Sequence, residues 1–248
     1  MDSRLCVVLV EPAGPLNVGS VARLCANYAV PELRLVSPRC DPLGDEARRM
    51  AVHGVALLEQ ARHFPTLAAA IADCRRVVAA SGRDGGAVDP LPPEEALAWL
   101  RSPLEGPAAV ALVFGREDRG LDSQELGQAG QLLRIPTPPG YGSLNLSHAV
   151  AVCLAAAQRA TAAPWTAGPA AATGPLPPRQ AQEDLLADAE ALLLEVGFLH
   201  PHTARARMAG LREVLRRAEV GTGELALLRG MVHQLRWACR RGSDGGSG

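Results

Sequence analysis

Short runs of Val, Leu and Ile punctuate the first part of this chain, at residues 5–10, 33–36, 76–80, 108–114 and 131–135. They are short, unbroken by polar residues on either face and bounded by turn formers, which predicts strands buried on both sides. Helical spacing fills the intervals, at residues 18–28, 45–50, 66–73, 93–101 and 123–129. Strand and helix therefore alternate, and that order predicts an α/β domain with a parallel sheet covered on both faces. Asp122 and Glu125 have the spacing of a capping box and predict a helix start.

Residues 143–162 form a long apolar-rich stretch that reads as a largely buried helix, closing a first domain over 1–162. Residues 163–180 are rich in Pro, Ala and Gly without periodicity, and predict a linker. Beyond it, Leu185, Leu186, Ala189, Leu192, Leu193 and Val196 fall on one helical face. Met208, Leu211, Val214 and Leu215 suggest a second helix, and Leu225, Leu228, Val232 and Leu235 a third. A helical extension is thus expected over 181–241, with a disordered Gly/Ser tail over 242–248. Three short helices seldom bury their apolar faces alone, so docking on the main domain or on a second subunit is expected.

Composition narrows the chemistry. The chain has 248 residues, 48% of them hydrophobic, enough for one large domain and a small appendage. Its net charge of −1 gives no global field to attract nucleic acid, so any such affinity must be local. Residues 201–241 are the markedly basic part, with nine Arg against three acids. Every one of the 25 basic residues is Arg, which excludes Schiff-base lysine chemistry and a Walker-type phosphate loop. The six cysteines lack the spacing of a metal or redox site, and Cys6, Cys25 and Cys153 read as buried free thiols. No apolar run is long enough to span a membrane, and the N-terminus lacks a signal-peptide pattern; a cytoplasmic location is expected.

Three loops at strand ends carry the candidate chemistry, since ligands bind there in parallel sheets. The first runs Glu11-Pro12-Ala13-Gly14-Pro15-Leu16-Asn17-Val18-Gly19-Ser20-Val21-Ala22-Arg23. It lets Asn17 cap a helix bearing Arg23, and by chemistry alone a capped helix with a solvated arginine is an equal reading. The second, Phe114-Gly115-Arg116-Glu117-Asp118-Arg119-Gly120-Leu121, brackets charge between glycines, so main chain can approach a ligand. The third runs from Ile135 through three prolines and two glycines to Ser143-Leu144-Asn145-Leu146-Ser147-His148. Ser143, Asn145 and Ser147 there suit a helix start that caps itself or binds an anion, and His148 is a weaker candidate base.

In this order the three segments resemble the signature motifs of the TrmH-like branch of the SPOUT methyltransferases, over roughly residues 5–160. The likeness is nearest to the TrmJ-type tRNA methyltransferases, because Leu194-Glu195-Val196-Gly197-Phe198-Leu199 and Leu227-Leu228-Arg229-Gly230 look like that group's helical tail. The resemblance implies a Rossmann-like parallel sheet whose C-terminal part threads a deep trefoil knot. It implies S-adenosyl-L-methionine as methyl donor, held at Ala80, Ser81, Gly82, Gly115, Ile135, Gly142, Ser143 and Leu144, with no metal. It assigns Arg23 the catalytic arginine, with Asn17, Glu117, Ser143 and Asn145 orienting it or the target nucleotide. A guanidinium stays protonated, which favours electrostatic stabilisation over proton removal.

The implied activity is 2′-O-methylation of tRNA, at nucleotide 32 of the anticodon loop, by a homodimer. Ala80-Ser81-Gly82-Arg83 departs from the Thr-Ser pair frequent in relatives, which touches the edge of the donor pocket. Ribosomal RNA methylation is the alternative with the same chemistry, disfavoured because its enzymes usually carry an N-terminal extension and this sequence begins almost at its first strand. A catalytically silent RNA-binding protein on the same scaffold is the alternative of a different class. A dinucleotide-dependent enzyme lacks its glycine fingerprint here.

Overall fold

The computed structural model describes residues 4–82, 89–104, 108–138, 142–160 and 175–244. The chain divides into two compact units, 1–166 and 167–248. In the first, six parallel strands form one sheet: β1 (Arg4–Val10), β2 (Glu32–Val36), β3 (Arg62–Phe64), β4 (Cys74–Ala80), β5 (Ala109–Phe114) and β6 (Gln131–Leu133). Their spatial order is β3-β2-β1-β5-β4-β6. The chain steps outward from β1 to β3, then crosses back to β4, and β5 later fills the gap beside β1. Direction reverses at that gap, which is where such sheets open a ligand crevice.

Period-two alternation explains why both faces are buried. Leu5, Val7 and Leu9 of β1, with Val110, Leu112 and Phe114 of β5, pack beneath one layer of helices. That layer holds α1 (Pro15–Asn27), α2 (Asp45–Ala51), α3 (Val55–Glu59), α5 (Pro93–Arg101) and α7 (Leu146–Ala160). Cys6, Val8 and Val10, with Ala109, Ala111 and Val113, meet the other layer through Leu67, Ala70, Ile71 and Leu121. That layer contains α4 (Leu67–Ile71) and α6 (Ser123–Leu126), the latter opened by the Asp122–Glu125 capping box.

The structure shifts several expected boundaries. Helix α1 begins at Pro15 with Gly14 as its N-cap, so Asn17 lies inside the first turn and does not cap it. Proline there has no N–H to leave unsatisfied and sets the helical φ, which moves the start upstream. Strand β3 is an addition to the expected set, because Arg62-His63-Phe64 has no apolar run; it is a short, largely exposed edge strand. Strand β6 stops at Leu133, and the Leu91 carbonyl then accepts from Arg134 N–H at 3.0 Å. Residues 139–141, in the C-terminal part of the domain where the resemblance implies a knot, lie outside the described residues, as do 83–88 and 105–107.

The second unit is three helices, α8 (Arg179–Glu195), α9 (Pro201–Ala218) and α10 (Thr222–Asp244). They bury their apolar faces against one another: Leu185, Leu192, Val220, Leu225 and Val232 form one cluster, and Leu186, Leu199, Ala204 and Met208 another. Apolar surface nevertheless stays uncovered on α10, where Leu227 is 75% and Trp237 49% exposed. Gly197, at φ +75°, sits just past the end of α8, a backbone conformation glycine adopts without strain. Helix α10 continues to Asp244, beyond the point where a disordered tail is expected; extending a formed helix costs little once nucleated. Residues 163–174 of the expected linker and 245–248 of the expected tail lie outside the described residues, and α8 already begins within the linker's last two positions.

Candidate active site

The three loops picked out in the sequence meet at the carboxyl ends of β1, β4, β5 and β6. Between the second loop, the third loop and the end of β4 opens a cavity of about 380 Å³, within the size range of small-molecule sites. Ala80, Ser81 and Gly82 line it beyond β4, Gly115 beyond β5, Ile135 beyond β6, and Gly142, Ser143 and Leu144 ahead of α7. Every residue expected around the donor thus borders one space. Phe114, Leu133 and Leu146 add apolar wall, and Arg116 to Gly120 form a charged rim.

The glycines serve different ends. A Cβ on Gly115 would sit 2.2 Å from the Gly120 carbonyl carbon and 2.3 Å from Leu121 N. Glycine is therefore required there by the loop folding back on itself, not only by an approaching ligand. Gly82 is the opposite case: a Cβ would meet only the Gly142 carbonyl oxygen, at 4.0 Å. Gly82 and Gly142 leave open space where main chain can lie against a bound molecule.

Glu117 organises the polar side. Its carboxylate accepts from Ala13 N–H, Gly14 N–H and Asn17 Nδ2, each at 3.0 Å. Burial alone would raise this carboxyl, but these donors outweigh it and hold the pKa below the ordinary carboxylate value. Asn145 Nδ2 donates to Asn17 Oδ1 at 3.0 Å, while Asn145 Oδ1 accepts from Ser147 N–H at 2.9 Å and Ser147 Oγ at 2.8 Å. A continuous chain Glu117–Asn17–Asn145 thus joins all three loops and fixes both amide orientations.

Arg116, whose role the sequence left open, braces the rim. Its guanidinium donates to Glu11 at 2.5 Å and to both Glu125 oxygens at 2.8 and 2.9 Å. The bonds to Glu11 and then Glu125 drive the arginine pKa upward, and Arg116 in return lowers that of Glu11. Glu11 holds φ at +45°, an unfavourable value for a non-glycine residue, at the end of β1. The only sequence signal for this brace is the paired Asp122 and Glu125; the Glu11 contact spans 105 positions and has no local signature.

The structure therefore brings Asn17, Glu117 and Asn145 together and sets Ser143 on the cavity wall. Arg23 stands apart on α1, exposed, lining neither this cavity nor a second one between α1, α2 and α7, and making no hydrogen bond or ion pair among the described residues. Cys6, Cys25, Cys74 and Cys153 are buried free thiols, and burial pushes the thiols of Cys25 and Cys153 up to about 12. Among the described residues, no cluster of His, Cys, Asp or Glu could hold a metal ion, and no helix is long and apolar enough to cross a membrane.

Comparison with known proteins gives this geometry a lineage. Residues 4–155 match the SpoU rRNA Methylase family. A tRNA (cytidine/uridine/adenosine-2′-O-)-methyltransferase TrmJ of Pseudomonas aeruginosa is 34% identical, the alignment covering 97% of this chain and 96% of that one. The crystal structure of TrmJ from Z. mobilis ZM4 is similar with a TM-score of 0.79 at 29% identity, covering 93% of this chain and 98% of that one. A structure described as giving insight into 2-OH methylation of C/U34 on tRNA is 28% identical with a TM-score of 0.51. It covers 64% of this chain and 96% of its own.

Proposed function

Since this chain belongs to the SpoU rRNA methylase family, we propose that it is an S-adenosyl-L-methionine-dependent methyltransferase acting on ribose 2′-oxygens of tRNA. The observation that carries the reading is the joining of Asn17, Glu117 and Asn145, one from each loop, beside a cavity bordered by the expected donor-binding residues. Likeness to TrmJ proteins over nearly the whole chain, helical unit included, favours tRNA over ribosomal RNA. The C/U34-modifying relative matches without that unit's length, which favours a different nucleotide; we assign position 32 of the anticodon loop, as cytidine or uridine.

The cavity suits the donor. Its apolar walls and the open main chain at Gly82 and Gly142 would hold a nucleoside and a thioether-like chain, with Ala80, Ser81, Gly115, Ile135, Ser143 and Leu144 completing the grip. When bound, the donor supplies a methyl group on a sulfonium, open to displacement by an oxygen nucleophile. Ribose hydroxyl is a poor nucleophile until its proton departs, so the protein must favour developing negative charge on that oxygen. Arg23 is suited to stabilise that charge, being permanently cationic and without a competing partner among the described residues. Glu117, Asn17 and Asn145 keep the adjoining loops in register, and Ser143 presents a hydroxyl at the wall.

Arg23 borders neither of the two cavities formed by the described residues of the first unit, which supports a site completed between two subunits of a homodimer. Leu16 of α1 and Val152 of α7 leave 51% and 40% of their surface exposed, the kind of apolar cover a second copy would supply. Transfer of tritium from labelled S-adenosyl-L-methionine into total tRNA and rRNA, followed by nucleoside mapping, tests the assignment. Label in 2′-O-methylcytidine or 2′-O-methyluridine of tRNA is expected; label confined to rRNA would overturn the substrate.

A further inference from the structure

A second cavity, of about 390 Å³, lies between α1, α2 and the start of α7, lined by Asn17, Ser20, Glu46, Met50, Asn145 and His148 among others. Asn17 and Asn145 belong to the polar chain described above, whose other end, Glu117, lines the donor cavity. The two cavities therefore share one hydrogen-bonded spine. Transfer between two bound molecules needs such adjacency, with acceptor and donor held on either side of the group that moves.

The state of its polar groups distinguishes this second space. Asn17 and Asn145 each bond protein through both amide oxygen and amide nitrogen, but the side chains of Ser20, Glu46 and His148 make no hydrogen bond or ion pair among the described residues. Glu11, Glu117 and Glu125, by contrast, are all bonded. An acid in the first turn of α2 is favourable for the helix by itself, so Glu46 alone would signify little. Glu46, His148 and Met50 are exposed at the rim of this cavity and Ser20 is half-buried, so three groups of different hydrogen-bonding character and one thioether are free to meet an aromatic heterocycle. Ser20 lies one turn before Arg23 on α1, although Arg23 itself does not line the cavity.

We propose that this cavity receives the base of the nucleotide being methylated, and that Ser20, Glu46 and His148 read its edge. The proposal rests on the ribose-methyltransferase reading and adds base selection to it. A carboxylate only accepts hydrogen bonds, so Glu46 favours a base that presents an exocyclic amine, as cytosine does at N4, over uracil, which presents a carbonyl at the same position. Ser20 and His148 can donate or accept, which lets uridine bind with the preference reduced and not abolished.

The test compares kcat/KM for otherwise identical tRNAs carrying cytidine or uridine at the mapped methylated nucleotide. Glu46→Gln should shrink the cytidine-over-uridine ratio about tenfold, within the range of one hydrogen-bonded base contact, with affinity for S-adenosyl-L-methionine unchanged. A purely structural role for Glu46 would lower both substrates alike and leave the ratio intact, overturning the proposal. Binding is read separately, by titrating cytidine 5′-monophosphate into the full-length protein and following the His148 ring resonances, assigned by their loss in His148→Ala. Cytidine monophosphate should shift them, and more weakly so in Glu46→Gln; unmoved resonances would overturn the pocket. If the wild type methylated no tRNA yet its His148 signals responded to the nucleotide in this Glu46-dependent way, the pocket would stand and the tRNA assignment would fall.

Discussion

Glu117 holds three donors with two oxygens, and replacing it shows what that arrangement is worth. Glu117→Gln keeps the size but turns an NH2 toward donors, leaving the exposed Ala13 N–H or the half-buried Gly14 N–H without its charged acceptor. The expected loss is about 1–3 kcal/mol of stability, read by urea denaturation, together with a fall in methyl transfer. Because the folded-state pKa of Glu117 is depressed, its contribution is complete above the ordinary carboxylate value near 4.5 and is lost as pH falls through the lower folded value. The stability gap between wild type and variant should therefore be constant near neutrality and close in acid. A gap that widened in acid would contradict the assignment.

At the scale of elements, glycine positions decide how closely the site's supports pack. A Cβ at Gly19 would lie 2.1 Å from the Ala47 carbonyl oxygen, so α1 and α2 touch through main chain. Gly19→Ala must part the two helices and should cost at least about 1–3 kcal/mol, seen as a lowered Tm. Gly120→Ala is the control: nothing lies within 4 Å, and only its φ of +65° is strained, so its cost should be about 1 kcal/mol. A loss at Gly19 no larger than that at Gly120 would mean that the α1–α2 contact yields at little cost.

The same scale separates what the sequence discloses from what it hides. Strands β1 and β5 are legible because both faces are buried, which leaves an unbroken apolar run. Strand β3 is not, since an exposed edge strand needs no such run. Helix α5 matches its expected bounds because Pro93 opens it and Ser102 closes it. The start of α1 differs from the expected one because Asn17 looks like a cap, whereas its side chain is drawn to Glu117, 100 positions away. That long-range bond, and the Asn17–Asn145 bond across 128 positions, have no periodic signature; only the joint likeness to a family's motifs points to them. Glu46 carries no sequence signal, because a first-turn acid is what any helix start accommodates.

Over the whole molecule, the basic composition of residues 201–241 overstates the charge available to RNA. Arg212 pairs with Glu183 at 2.7 Å, Arg229 donates to the Ala181 carbonyl at 3.1 Å and Arg236 to the Asp188 carbonyl at 2.6 Å. These three bind α9 and α10 to α8, and serve the bundle first. Arg205 and Arg240 are exposed and make no such bond among the described residues. If they contact phosphate, Arg205→Ala with Arg240→Ala should reduce the slope of log affinity against log salt by about one to two, measured by filter binding to tRNA. An unchanged slope would place the phosphate contacts elsewhere.

The acceptor proposed for this enzyme is the 2′-oxygen of a tRNA ribose, activated beside Arg23, with the methyl group supplied from the cavity lined by Ser81, Gly115 and Ser143. Its most direct test is methyl transfer to two tRNAs that differ by a single atom, one with ribose and one with 2′-deoxyribose at the mapped methylated nucleotide. Full incorporation is expected into the first, and none at that nucleotide in the second. Equal incorporation at that nucleotide in both would place the methyl group on the base and contradict the proposed chemistry.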